Sequence, residues 1–143
     1  MKIETKYHGE IELNEKDVWH FEKGIPGFED EKEFTVLSFN GNEVFYVLQS
    51  VSTPTLGFII SNPFSFFKEY QINLDDAVTH ALDLVKIEDS MVYVILTVRE
   101  PFNQSTANLQ APLVFNVKNK KAKQIILNDY SRKQPVAAAE AKE

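Results

Sequence analysis

The chain has 143 residues, with fifteen lysines and arginines against twenty-one aspartates and glutamates, for a formal charge of −6. That length fits one domain able to bury a sizeable core, and the absence of cysteine excludes disulfides, thiolate metal sites and cysteine nucleophiles. The acidic balance disfavours general binding to phosphate backbones and suits a partner with a basic face.

The first six residues alternate charged with apolar side chains and lack the apolar core of a signal peptide. No stretch reaches the length of an apolar membrane span. The expectation is a soluble, cytoplasmic protein. Residues 2–7 and 10–13 alternate as two strands about a His8-Gly9 turn. Residues 18–22 read as a third strand, with Trp19 and Phe21 on one face. In Gly24-Ile25-Pro26-Gly27-Phe28, Pro26 fixes its own φ and pushes Ile25 into an extended conformation. Gly27 then supplies the positive φ that a type II turn needs after proline. Residues 29–33 read as a single helical turn, residues 34–39 as a strand, and Asn40-Gly41 as a hairpin signal. Residues 44–49 and 56–61 are the next strands.

The runs at residues 44–48 and 91–96 are continuously apolar, which implies strands covered on both faces. A closed or nearly closed barrel, or a sheet with an added layer, achieves that. A helix is expected over about residues 73–85. Asn73 would be its N-cap, Asp75 and Asp76 would lie in the first turn, and Leu74, Ala77, Val78, Ala81, Leu82 and Val85 would form its apolar stripe. A shorter helix falls within residues 64–70. Residues 112–118 and 123–127 form the last hairpin, with Asn119-Lys120 at its turn and Pro112, which cannot donate, at a strand start or edge. Composition changes at Ser131, and the alanine-rich end predicts a disordered tail. The fold class expected is mainly β: a compact β-barrel-like domain over residues 1–130, one amphipathic helix, and a tail over 131–143.

Chemistry is sparse. His8, His20 and His80 fall in a turn, a strand and a helix, a spacing that announces no metal site. Ser50, Ser52 and Ser61 look like turn or strand-end residues, and no G-x-S-x-G elbow is present. Glu29-Asp30-Glu31 reads as a solvated loop and Asp75-Asp76 as a helix start. No phosphate-cradling glycine motif occurs. The expectation is no enzyme, no metal and no cofactor. Lys118, Lys120, Lys121 and Lys123 form the one dense basic cluster, and an alternative reading makes the chain a nucleic-acid-binding barrel. The cluster lacks interleaved aromatics and fits a lysine-guarded hairpin better.

Recognition then has to carry function. Residues 56–71 hold Phe58, Phe64, Phe66, Phe67 and Tyr70 with Ile59 and Ile60. Strand alternation sets Phe58 and Ile60 opposite Ile59, and a barrel interior has little room for five aromatics in so short a span. Phe64 and Phe67 are expected to pack inward. The candidate partner surface is Thr55, Phe58, Ile59, Asn62, Phe66 and Gln71, with Glu69, Asp75 and Asp76 as its negative rim. The competing reading places all these aromatics in the core. Ile25 and Phe28 are expected to act as lids over a barrel end rather than as contacts.

Several segments carry a resemblance in order along the chain. They are Thr5-Lys6-Tyr7-His8-Gly9, Phe21 with Gly24-Ile25-Pro26-Gly27-Phe28, Leu48-Gln49-Ser50, and Pro63-Phe64 with Phe66-Phe67. They continue with Leu74-Asp75-Asp76, Thr106-Ala107-Asn108-Leu109-Gln110-Ala111-Pro112 and Lys121-Ala122-Lys123-Gln124. No one of them is specific, but the ordered series from about residue 3 to about residue 130 resembles the bacterial FliW family. The resemblance implies a compact β-barrel-like binding protein, monomeric when free, that acts on neither nucleic acid nor membrane directly. It also implies two partners, flagellin and the RNA-binding translational regulator CsrA. Flagellin-free protein would hold CsrA and relieve its repression of flagellin message, and accumulating flagellin would release it.

Overall fold

Alternating strands close into a ring in the computed structural model, which describes residues 1–39 and 42–136. Strands β1 (Lys2–Glu4) and β2 (Glu10–Glu12) form a small antiparallel ribbon. Gly9, at φ 66°, turns the chain between them, and Thr5 Oγ1 donates to the Gly9 carbonyl at 2.7 Å. The ring itself uses β3 (Trp19–Phe21), β4 (Glu33–Phe39), β5 (Asn42–Ser50), β6 (Gly57–Ser61), β7 (Ser90–Thr97), β9 (Leu113–Asn116) and β10 (Lys121–Gln124). All neighbours are antiparallel except β3 and β10, whose parallel seam closes the barrel. Strands β8 (Thr106–Ala107) and β11 (Gln134–Pro135) extend outward from the end of β7.

The period of two selects the interior. Trp19 and Phe21, Phe34, Leu48, Ile60, Leu113 and Phe115, and Ala122 point into the ring. Edge-on ring contacts join Trp19 to Phe115 at 4.9 Å and Phe21 to Phe34 at 5.3 Å. Each such buried side chain contributes about 1.5–3 kcal/mol from lost apolar hydration. The outer faces of β5, β6 and β7 carry Phe45, Ile59, Val94 and Leu96, and a second layer containing Tyr70, Ala107, Leu109 and Val136 covers them. The two continuously apolar runs thus lie between barrel core and outer layer. The mainly β, barrel-forming class is the one the pattern predicts.

The Pro26 turn forms as expected, with Gly27 at φ 89° and the Phe28 N–H on the Ile25 carbonyl at 2.6 Å. Ile25 joins the barrel core, while Phe28 stays 41% exposed and meets Phe58 edge-on at 5.4 Å.

Four local expectations need correction. Residues 29–33 are turn and strand start rather than helix, because the Glu31 carboxylate is recruited by the hydroxyls of Ser50 and Thr53. The helix α1 spans only Asp76–Ala81, and its N-cap is Asp75, which accepts from the Val78 N–H at 2.9 Å, not Asn73. Leu82 plugs into a buried cluster with Val114 and Ile125, Asp83 takes φ 53°, and the helix stops there. Val85, assigned to the apolar stripe, is therefore 91% exposed. The short helix near residues 64–70 is a single 3-10 turn, Pro63–Ser65.

The packing also continues past the boundary expected at residue 130. The β11 strand pairs with β8, and Val136 is fully buried because it fills the outer layer. The Asn40-Gly41 turn and residues 137–143 of the tail lie outside the described residues.

Candidate protein-binding surface

At the end of β6, Asn62 caps the 3-10 turn by accepting from the Phe64 N–H at 2.9 Å. Pro63 takes the inward position and Phe64 is thrown outward, 43% exposed. Its ring rests 5.9 Å from that of Tyr70. Tyr70 is anchored: its hydroxyl donates to the Leu109 carbonyl at 2.6 Å, and its ring meets Tyr130 edge-on at 4.6 Å. Burial pushes the Tyr70 phenol well above its ordinary range, with the neighbouring Tyr130 adding to the effect. The Tyr130 hydroxyl accepts from the Gln71 N–H at 3.0 Å, which fixes the start of the strand-like segment leading to α1.

That segment and the chain returning from α1 enclose a groove of about 380 Å³. Phe64, Ile72, Leu74, Ile87, Met91 and Tyr93 line it with Asn62, Ser90 and Val92. Ile87 is 62% exposed at its lip. Asp75 and Asp76 follow Leu74 in sequence, and Glu88 and Asp89 follow Ile87, so both walls run into carboxylates. The result is a largely apolar trough whose lining residues have carboxylates next to them in sequence. It suits an amphipathic polypeptide with basic flanks.

The candidate residues distribute over four places. Asn62 lines the groove, and Asp75 and Asp76 are exposed at the start of α1, just after the lining residue Leu74 in sequence. Ile59 and Phe66 lie half-buried in the outer layer, Phe66 at 6.0 Å from Phe45. Phe58 faces the other way, under Phe28 and 6.3 Å from Phe34, as strand alternation requires. Thr55, Glu69 and Gln71 are exposed, Thr55 on the loop between β5 and β6. Phe67 is half-buried in the outer layer. The inward placement expected for Phe64 is overturned, because the Asn62 cap gives the inward site to Pro63.

Ile72, Leu74, Ile87, Met91 and Tyr93 had been assigned no recognition role. The available signal was Leu84-Val85-Lys86-Ile87, an apolar-rich stretch between Asp83 and Glu88-Asp89 that is too long for the helix to hide.

The basic cluster is divided by intramolecular contacts. Lys120 sits with its ammonium 4.2 Å over the Trp19 ring, at φ 64° in the β9–β10 turn. The Lys121 ammonium donates to Asp83 Oδ2 at 2.6 Å. That hydrogen bond and its charge hold the Asp83 carboxyl below, and the Lys121 amine above, their ordinary ranges. Among the described residues, no group of three or more His, Asp or Glu side chains is placed to hold a metal ion. Among them, too, no helix is long and apolar enough to cross a membrane.

The family model described as FliW protein matches residues 2–137. A flagellar assembly factor FliW of Geobacillus thermodenitrificans (strain NG80-2) is 51% identical over 133 residues, covering 93% of this chain and 92% of the relative. One from Bacillus subtilis (strain 168) is 46% identical over 138 residues, covering 95% and 96%. A crystal structure of the flagellar assembly factor FliW superposes with a TM-score of 0.89 at 48% identity, covering 95% of this chain and 96% of the other. Match, identity and superposition all extend over nearly the whole chain, which belongs to the FliW family of flagellar assembly factors.

Proposed function

We propose that this protein is a cytoplasmic regulator that binds flagellin and, when flagellin-free, binds and antagonises CsrA. It would thereby couple flagellin level to flagellin translation, acting without cofactor and as a monomer when free. The observation that carries the reading is the apolar groove lined by Phe64, Ile72, Leu74 and Ile87, on a chain of this family. An amphipathic flagellin segment has an apolar face that the groove can cover. CsrA, which must present basic surface to RNA, has a complementary charge to the edge formed by Glu69, Asp75 and Asp76. Ile59, Asn62 and Phe66 belong to the same proposed contact, with Thr55, Phe58 and Gln71 at its periphery.

Calorimetry on purified partners tests both halves. Phe64→Ser and Ile87→Ser alter exposed side chains, so the fold should survive, and flagellin affinity should fall about tenfold or more. Asp75→Asn keeps a capping side chain while removing charge. Combined with Asp76→Asn, it should slow CsrA association most at low salt. Unaltered binding of both partners to all these folded variants would defeat the assignment. The division of Lys120 and Lys121 between Trp19 and Asp83 speaks against the nucleic-acid alternative.

A further inference from the structure

The parallel seam that closes the barrel is short. His20 lies opposite Lys121 and Phe21 opposite Ala122, and there the register stops. Strand β10 continues to Gln124. After Phe21 the other chain turns away through Gly24, at φ 67°, whose position is so close to Glu29 that an added Cβ would sit 2.6 Å from its carbonyl oxygen. Among the described residues, the edge of β10 at Lys123 and Gln124 is thus left without a strand beside it on the β3 side. A cleft of about 780 Å³ opens at this point. Its floor contains Phe21, Ala81, Leu82 and Ala122, and its walls carry Lys23, Lys32, Lys121 and Lys123 against Glu22 and Glu29.

Several of these charges are already engaged. Lys121 is held by Asp83, and Glu29 accepts from the Gly27 N–H at 2.5 Å. Among the described residues, no ion pair engages Lys23, Lys32 or Lys123. An acidic protein therefore keeps a locally cationic cleft beside this strand edge, and the cleft shares no lining residue with the apolar groove.

We propose that this cleft binds an extended acidic peptide segment of a partner protein, which continues the ladder along β10. Main-chain hydrogen bonds at Gln124 would give affinity, and alternate glutamates or aspartates would meet Lys23, Lys32 and Lys123. Small apolar residues between them would settle on the floor. A nucleic acid fits less well: Phe21 is fully buried, the exposed His20 imidazole in the lining has Nδ1 3.8 Å from Glu33 Oε2, and two glutamates face the same space.

The probe is a blocked hexapeptide of alternating glutamate and alanine, titrated into the full chain and followed by amide chemical shifts. We expect saturable shifts centred on Ala122, Lys123 and Gln124. Binding should weaken about tenfold in the Lys23→Gln, Lys123→Gln double variant and remain unchanged in Lys118→Gln, a lysine outside the cleft. A backbone N-methylated peptide should lose binding, since the ladder needs its N–H groups. The proposal is overturned by an equal response to the glutamine–alanine peptide or by the absence of shifts at about 1 mM peptide. It is equally overturned by a uridine oligonucleotide that occupies the same amides more tightly. Flagellin and CsrA binding by the double variant, measured in parallel, separates this cleft from the apolar groove.

Discussion

Gln49 shows what one polar side chain accomplishes inside the barrel wall. It is fully buried, and its amide nitrogen lies within 3.1–3.3 Å of the carbonyls of Ser50, Thr53, Pro54 and Leu56. Its oxygen accepts from the Lys6 N–H at 2.9 Å, tying the N-terminal ribbon to the barrel. Gln49→Leu keeps the volume but takes the side-chain donor from those carbonyls and the acceptor from the Lys6 N–H, so stability to urea should fall by about 3 kcal/mol.

Nearby, Glu31 accepts from Ser50, Thr53 and Ser52, and these hydrogen bonds hold its carboxyl below the ordinary carboxylate range. Its pKa is lower folded than unfolded. Its contribution is therefore complete above the unfolded value and disappears as pH falls through the folded one. Glu31→Gln should flatten the acid side of the stability profile, in the carboxylate range and below, while leaving the region above neutrality parallel to the parent. The glycines of the proline turn make a matched pair. Gly27→Ala incurs only the left-handed backbone cost of about 1–2 kcal/mol. Gly24→Ala adds a backbone collision and should cost upwards of about 3 kcal/mol, or prevent folding. Thermal melts of the two would check the contrast.

Among elements, the strands were the most legible and the helix the least. Alternation at Trp19-Phe21 and at Phe58-Ile59-Ile60 specifies which side chain faces the core, because a strand has no other way to divide its faces. Helical spacing over residues 74–85 misled. It counts apolar residues without knowing that Asp75 captures the cap, or that Leu82 is taken by Val114 and Ile125 from strands far away in sequence. The groove was hidden for the same reason. Phe64 and Ile87 are twenty-three positions apart, and only the return of the chain to β7 brings them together. Of the groove lining, Asn62 was among the candidate residues; Ile72, Leu74, Ile87, Met91 and Tyr93 were not.

The packing of residues 134–136 was not legible because two residues of β11 and a single valine are too little pattern to read. Their packing is nonetheless consequential. Val136→Ala should lower stability by about 1–2 kcal/mol. Truncation after Lys133 should expose Leu96, Ala107 and Leu109, detectable as increased dye binding by an otherwise folded barrel.

At the scale of the molecule, charge and shape are arranged in separate zones. Within a net charge of −6, Phe64, Ile72, Leu74 and Ile87 line an apolar groove, while Lys23, Lys32 and Lys123 share a separate cleft with Glu22 and Glu29. Exposed charges are screened over about 8 Å at physiological ionic strength. Under the proposed function, raising salt should therefore weaken CsrA association through Asp75 and Asp76 more than it weakens an apolar flagellin contact.

The seam between β3 and β10 has a kinetic meaning as well. Strands β3 to β6 join neighbours along the chain and can zip up as successive hairpins, whereas this junction unites segments about a hundred residues apart and carries the largest loop-closure entropy. The ring should close late in folding and reopen first. Amide protons at His20 and Ala122 should accordingly exchange with solvent sooner than those at the centre of β5, making the barrel a clasp rather than a uniform cylinder.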